Sequence, residues 1–240
     1  EGLSMFPFLF VTIACGAISG FHATQSPMMA RCIQKESESK KVFYGAMVVE
    51  GIVALIWCGV TIAFFGDSLA ISSALTEYGG QSGVVGLLSR ELLGPMGSIL
   101  AVLGVVACPI TSGDTAFRSA RLTIADAFKI KQEGFKNRFI LAIPLFAVCI
   151  GLTFLDFNII WRYFAWSNQT LATIFLWAAT VFLLKTKSNY WMTLIPATFM
   201  TAVCSSYILQ APEGFRLNAQ LSNGVGVVTA VVLFLVFMKN

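Results

Sequence analysis

Ala14–Arg31 reads ACGAISGFHATQSPMMAR, and this stretch decides how the chain folds. A strongly apolar run, Leu3 to Ile18, ends in Ser19-Gly20; the chain's only histidine, His22, follows, and Ser26-Pro27 supplies a helix-start signal. Serine caps helices, and proline fits the first helical position, where no N–H is missed. The pattern predicts a membrane-type helix that stops and a second that restarts seven residues later. Breaks of this kind suit transporters, whose unwound backbone and helix ends bind solutes or ions.

A second stretch, Val106–Arg121 (VACPITSGDTAFRSAR), echoes the first at an offset of 93 residues, matching Ala14/Ala107, Cys15/Cys108, Ser19/Ser112, Gly20/Gly113, Ala23/Ala116 and Ser26/Ser119. Either this is an internal repeat with a second break at Thr111–Asp114, or it is coincidence between two helices rich in small residues.

Composition places both stretches in a membrane. Hydrophobic residues make up 57% of the chain and charged ones 12%, against about half and a quarter in soluble domains. The mean hydropathy is +0.78. Apolar runs of 17–23 residues without strand-like alternation call for helices rather than a barrel. The start, Glu1-Gly2, lacks an initiator methionine and a basic signal-peptide front, so we expect a piece of a longer protein.

Seven crossings are predicted: Leu3–Gly20, Phe43–Phe65, Pro95–Thr111, Phe139–Leu155, Tyr163–Leu184, Tyr190–Leu209 and Leu221–Met238. Threaded this way, thirteen of the sixteen Lys and Arg residues fall on one side, which is then cytoplasmic; Arg90, Arg162 and Arg216 fall on the other. Asp67, Glu77, Glu91 and Glu213 lie in outer loops. The net charge of +4 therefore reflects topology and is no argument for nucleic acid. The six cysteines show no CxxC and no pairing with histidine, so neither a metal nor another cofactor is expected. On the inner side, Gln34–Lys41 is a solvated linker. Phe117, Ala120, Ile124 and Phe128 recur at helical spacing and predict an amphipathic helix over residues 115–131. The outer Gly66–Leu92 either re-enters the membrane or forms a short surface helix.

The candidate functional residues are polar groups placed where they cost energy. Glu50 lies about two turns inside a crossing, where a carboxylate costs about 2–3 kcal/mol, and reads as a protonation site or a helix-to-helix hydrogen bond. Thr111, Ser112 and Asp114 offer hydroxyls and a carboxylate for a small cation or proton; Asp114 also reads as a plain helix cap. Ser19, Gly20, His22 and Gln25 occupy the first break, where a helix N-terminus favours a substrate carboxylate. His22 suits proton relay or a structural hydrogen bond. Asn168 and Gln169, adjacent amides opening an apolar span, either line a solute path or bond neighbouring helices. No GxSxG, HExxH or P-loop is present, and a single histidine leaves little for hydrolytic chemistry, so no enzyme is expected.

Three ordered blocks resemble the carbon starvation protein CstA family of bacterial membrane transporters: Pro7–Cys32, Ile110–Asp126 and WRYFAWSNQTLA at Trp161–Ala172. The resemblance implies proton-coupled uptake of peptides or pyruvate across the inner membrane under carbon limitation. It also implies that residues 1–240 are one transmembrane domain, the C-terminal portion of a longer transporter whose N-terminal helices are further partners. The expectation is thus an all-α polytopic bundle of about seven crossings with interrupted helices. The substrate-binding candidates are Ser19, Gly20, His22, Gln25, Asn168 and Gln169, and the proton or cation coupling candidates are Glu50, Thr111, Ser112 and Asp114. A non-transporting membrane sensor or assembly subunit is the alternative, in which those polar groups only hold helices together.

Overall fold

A computed structural model describes residues 5–155 and 157–239. Its regular elements are all helical: α1 (Met5–Ala17), α2 (Gly20–Cys32), α3 (Ala46–Phe65), α4 (Ser68–Glu77), α5 (Gln81–Ala127), α6 (Phe135–Leu152), α7 (Phe157–Lys185), α8 (Trp191–Gln210) and α9 (Ala219–Lys239). A short 3-10 turn and a π-helical turn, Lys40–Gly45, lead into α3.

Among the described residues, six helical stretches are long and apolar enough to cross a membrane: Glu36–Phe65, Gln81–Ala127, Phe135–Leu152, Ile159–Lys185, Trp191–Gln210 and Ala219–Lys239. They correspond to six of the seven predicted crossings. The remaining one is α1, whose 13 residues span only about 20 Å; Leu3, where that crossing was expected to begin, lies outside the described residues.

The chain forms two compact units, Glu1–Met29 with Ser119–Asn240, and Ala30–Arg118. In the first, α7, α8 and α9 pack side by side and α1 lies against α7 and α8. Val11 and Ala14 of α1 meet Met200, Val203, Cys204 and Tyr207 of α8 in the core. Phe8 stacks edge-on against Tyr207 at 5.2 Å and Phe10 against Phe199 at 5.1 Å, so α1 runs antiparallel to α8. Apolar burial between helices gains little in lipid, where the surroundings are as apolar as leucine, and close backbone approach takes its place. The α8–α9 contact shows this: Ser222, Gly226 and Ala230 are the buried residues of α9, and a Cβ on Gly226 would stand 2.7 Å from the Ala202 carbonyl oxygen.

The second unit holds α3, α4 and most of α5. Ala74, Val84 and Leu88 form a small core with Phe65 and Leu75. The outer segment left open between re-entry and a surface helix is α4 followed by the first turns of α5. Within α5, Gly94 adopts φ 68°, ψ −174°, a conformation essentially restricted to glycine, and Pro95 follows.

Three expectations require correction. The first break lies at Ile18–Ser19, and α2 runs unbroken through Gly20–Cys32 with Pro27 inside it. Thr111–Asp114 is continuous helix, because Gly113 and Pro109 are both accommodated within α5. With one of its two breaks absent, the 93-residue echo does not correspond to a break repeated in the structure. Residues 115–127 are the final turns of α5, not a helix of their own.

Candidate functional site

Serine decides where α1 gives way to α2. Ile18 N–H makes the last bond of α1, to the Ala14 carbonyl at 2.7 Å. Ser19 then caps α2: its hydroxyl accepts from the Phe21 N–H at 3.2 Å. His22, three residues on, returns the favour, its Nδ1 accepting from the Ser19 N–H at 3.3 Å. This is a variant of the reciprocal capping box, with the serine bonded one residue earlier in the helix and histidine in the place usually held by Glu or Gln.

The same hydroxyl reaches across to α7. Asn168 Nδ2 donates to Ser19 Oγ at 3.0 Å, and Ser19 Oγ stands 3.3 Å from Asn168 Oδ1. Gly20 makes room for this, since a Cβ there would lie 2.6 Å from the Asn168 carbonyl oxygen and 2.8 Å from Oδ1. Asn168 is 7% exposed and Gln169 fully buried. The structure places this pair at the level of Cys204, whose carbonyl accepts from Trp166 Nε1 at 3.1 Å and whose sulfur meets Thr173 Oγ1 at 3.5 Å. Cys204 lies six residues, about 9 Å, from the end of α8. The polar seam continues with Trp177 Nε1 donating to Thr201 Oγ1 at 2.9 Å and Thr180 donating to Thr193 at 2.9 Å. Gln25 is half-buried on α2, beside Thr24, whose carbonyl accepts from Ser119 Oγ at 3.0 Å.

The other candidates belong to the second unit. Glu50 is exposed on α3 and Thr111 on α5, and Ser112 is half-buried. Asp114 caps no helix: it sits inside α5 and pairs with Arg118, one turn on, at 3.1 Å, both side chains being more than half exposed.

A further charged group escaped the sequence reading. Glu213, assigned there to an outer loop, has a side chain only 4% exposed. Its Oε1 accepts from the Tyr207 hydroxyl at 2.6 Å, and its Oε2 faces Arg162 Nε at 3.6 Å without a hydrogen bond. Tyr163 donates to the Glu213 backbone carbonyl at 2.7 Å. The available signal was that Arg162 and Glu213 are lone charges at the same end of neighbouring apolar spans. Proximity in space is what the sequence could not show.

Comparison with known proteins agrees with these blocks. The profile of the family described as carbon starvation protein CstA matches residues 2–85 and 79–206. The peptide transporter CstA of Campylobacter jejuni is 27% identical over 95% of this chain and 41% of its own length. The peptide transporter CstA of Bacillus subtilis is 30% identical over 82% of this chain and 40% of its own. A segment of 54 residues is 46% identical to the pyruvate/proton symporter BtsT of Escherichia coli, covering 22% of this chain and 8% of that protein. The chain thus spans about two fifths of the length of the two peptide transporters. No solved structure matches it.

Proposed function

Because the chain belongs to the carbon starvation protein CstA family, we propose that it forms part of a secondary carrier for small carboxylate-bearing nutrients, peptides or pyruvate, driven by protons and serving growth under carbon limitation. It is a multi-pass membrane protein, and in bacteria its membrane is the inner one. The observation that carries the proposal is the broken helix α1/α2, with its polar break held against the buried Asn168 of α7. In lipid a broken helix persists only where its freed backbone groups are buried in protein or face a cavity, and such places are where carriers hold their solutes. Ser19, Gly20, Asn168 and Gln169 are the residues assigned to the solute, with His22 and Gln25 in the same helix.

Glu50, Thr111, Ser112 and Asp114 keep their coupling role as a proposal for the second unit. If one of these carboxylates carries the proton, Glu50→Gln or Asp114→Asn abolishes gradient-driven accumulation while exchange of labelled for unlabelled solute survives. Both variants accumulating like wild type would remove them from the mechanism.

A second reading has its own support. Ser19 and Asn168 bond to each other, as in a helix-to-helix clasp that needs no solute. A sensor or assembly subunit built on such clasps would move nothing. Uptake of labelled pyruvate and dialanine by the full-length protein in vesicles separates the two: failure of both solutes to move, with or without a proton gradient, overturns the carrier reading.

A further inference from the structure

Every described Asp and Glu residue is exposed except Glu213. A carboxylate withdrawn to 4% exposure is unfavourable unless paired and hydrogen-bonded. Here the compensation is unequal. Oε1 has a short bond from Tyr207, whereas Oε2 has only the guanidinium 3.6 Å away, too far for a hydrogen bond. The Arg162 side chain is 48% exposed, so its remaining N–H donors are open to a second acceptor.

We propose that Glu213 and Arg162 are an exchange pair at the outer end of the bundle, at which a proton and a substrate carboxylate bind together. This rests on the carrier reading above and adds to the coupling groups named there an outer pair at which proton and solute load together. A proton from outside water adds to Oε2 and neutralises Glu213. The guanidinium, released from its partner, takes the carboxylate of a small monocarboxylate or of a peptide C-terminus, which its planar fork of donors fits two-pronged. One proton and one anion enter and no net charge is added. By linkage each raises the affinity for the other by the same factor.

The surroundings leave Oε2 as the place for the proton. From α7, Arg162 faces the carboxylate and Tyr163 is engaged with the Glu213 backbone carbonyl. From α8, Tyr207 is engaged with Oε1, and α1 contributes apolar side chains, Phe8 among them packed on the Tyr207 ring. Within the loop, Arg216 Nε is held by the Pro212 carbonyl. Arg162 is therefore the one cation paired with this carboxylate among the described residues.

The test uses the full-length protein in proteoliposomes with labelled pyruvate and dialanine, measuring binding, exchange and pH-driven accumulation from outer pH 6 to 8. An obligatory proton weakens wild-type binding by up to about tenfold per pH unit. In Glu213→Gln, which mimics the protonated acid, binding and exchange become flat with pH, fixed at the wild-type acid level, and accumulation driven by the pH gradient is lost. Arg162→Gln loses solute binding at every pH, and Arg162→Lys recovers part of it. A merely structural salt bridge cannot produce the acid-locked signature, since removing it would lower exchange at every pH alike. The proposal is overturned if Glu213→Gln keeps the wild-type pH dependence, if it loses exchange throughout, or if Arg162→Gln binds normally. A wild-type protein that moves neither solute even in exchange overturns the carrier reading itself, and this inference with it.

Discussion

Gly20 owes its identity to Asn168. Any side chain at position 20 would press on the α7 backbone, which cannot swing aside as a flexible side-chain tip can. We expect Gly20→Ala to destabilise the protein by about 1–3 kcal/mol, the usual range for overpacking, seen as a lower melting temperature in detergent. His22 is tested by a pair of changes. His22→Ala removes the acceptor for the Ser19 N–H and should cost about 1 kcal/mol. His22→Glu restores the ordinary capping box and should recover most of that stability. If His22 only closes the cap, His22→Glu also transports like wild type; stability recovered without transport assigns the imidazole a further role. Ser19, Gly20 and Asn168 were legible in the sequence because polar and small residues stand out in an apolar run. That they touch one another was not, because 149 positions separate Ser19 from Asn168.

Among the elements, the helical type and six crossing-length spans followed directly from the apolar runs, while the breaks did not. Two capping signals, Ser19 and Ser26-Pro27, competed within one short stretch. Ser19 prevails because its hydroxyl is satisfied twice over, by Phe21 and by Asn168, whereas proline at the eighth residue of α2 is tolerated without ending the helix. In α5 the apolar pattern pointed to Thr111–Asp114, yet the backbone departs from helix at Gly94. Residues before proline are pushed out of the helical region, and glycine alone can take the geometry found there. Gly94→Ala should therefore cost about 1–3 kcal/mol. Gly104→Ala, in the same helix with open space around it, should be neutral or slightly stabilising. Thermal denaturation of the two variants side by side checks this, and equal melting temperatures would show that the Gly94 bend is not required.

At the scale of the whole molecule, charge distribution carries the orientation. Ser37 and Ser82 are both exposed and lie on opposite sides in the threading described above. A cysteine at position 82, in a protein otherwise stripped of accessible thiols, should react with an impermeant reagent from outside, and one at position 37 only after permeabilisation. Labelling of position 37 in intact cells would invert the topology. The division of the chain has a consequence in time. The first unit is assembled from Glu1–Met29 and Ser119–Asn240, with the whole second unit between them in sequence. At the usual pace of synthesis, roughly 5–20 residues per second, Asn168 leaves the ribosome about seven to thirty seconds after Ser19. For that interval α1 is in the membrane with its capped end unmatched and its aromatic face waiting for α8. The insertion machinery must shelter it meanwhile, so chains halted before residue 168 should stay cross-linkable to an insertase through Ser19→Cys, and the cross-link should fade once α7 arrives.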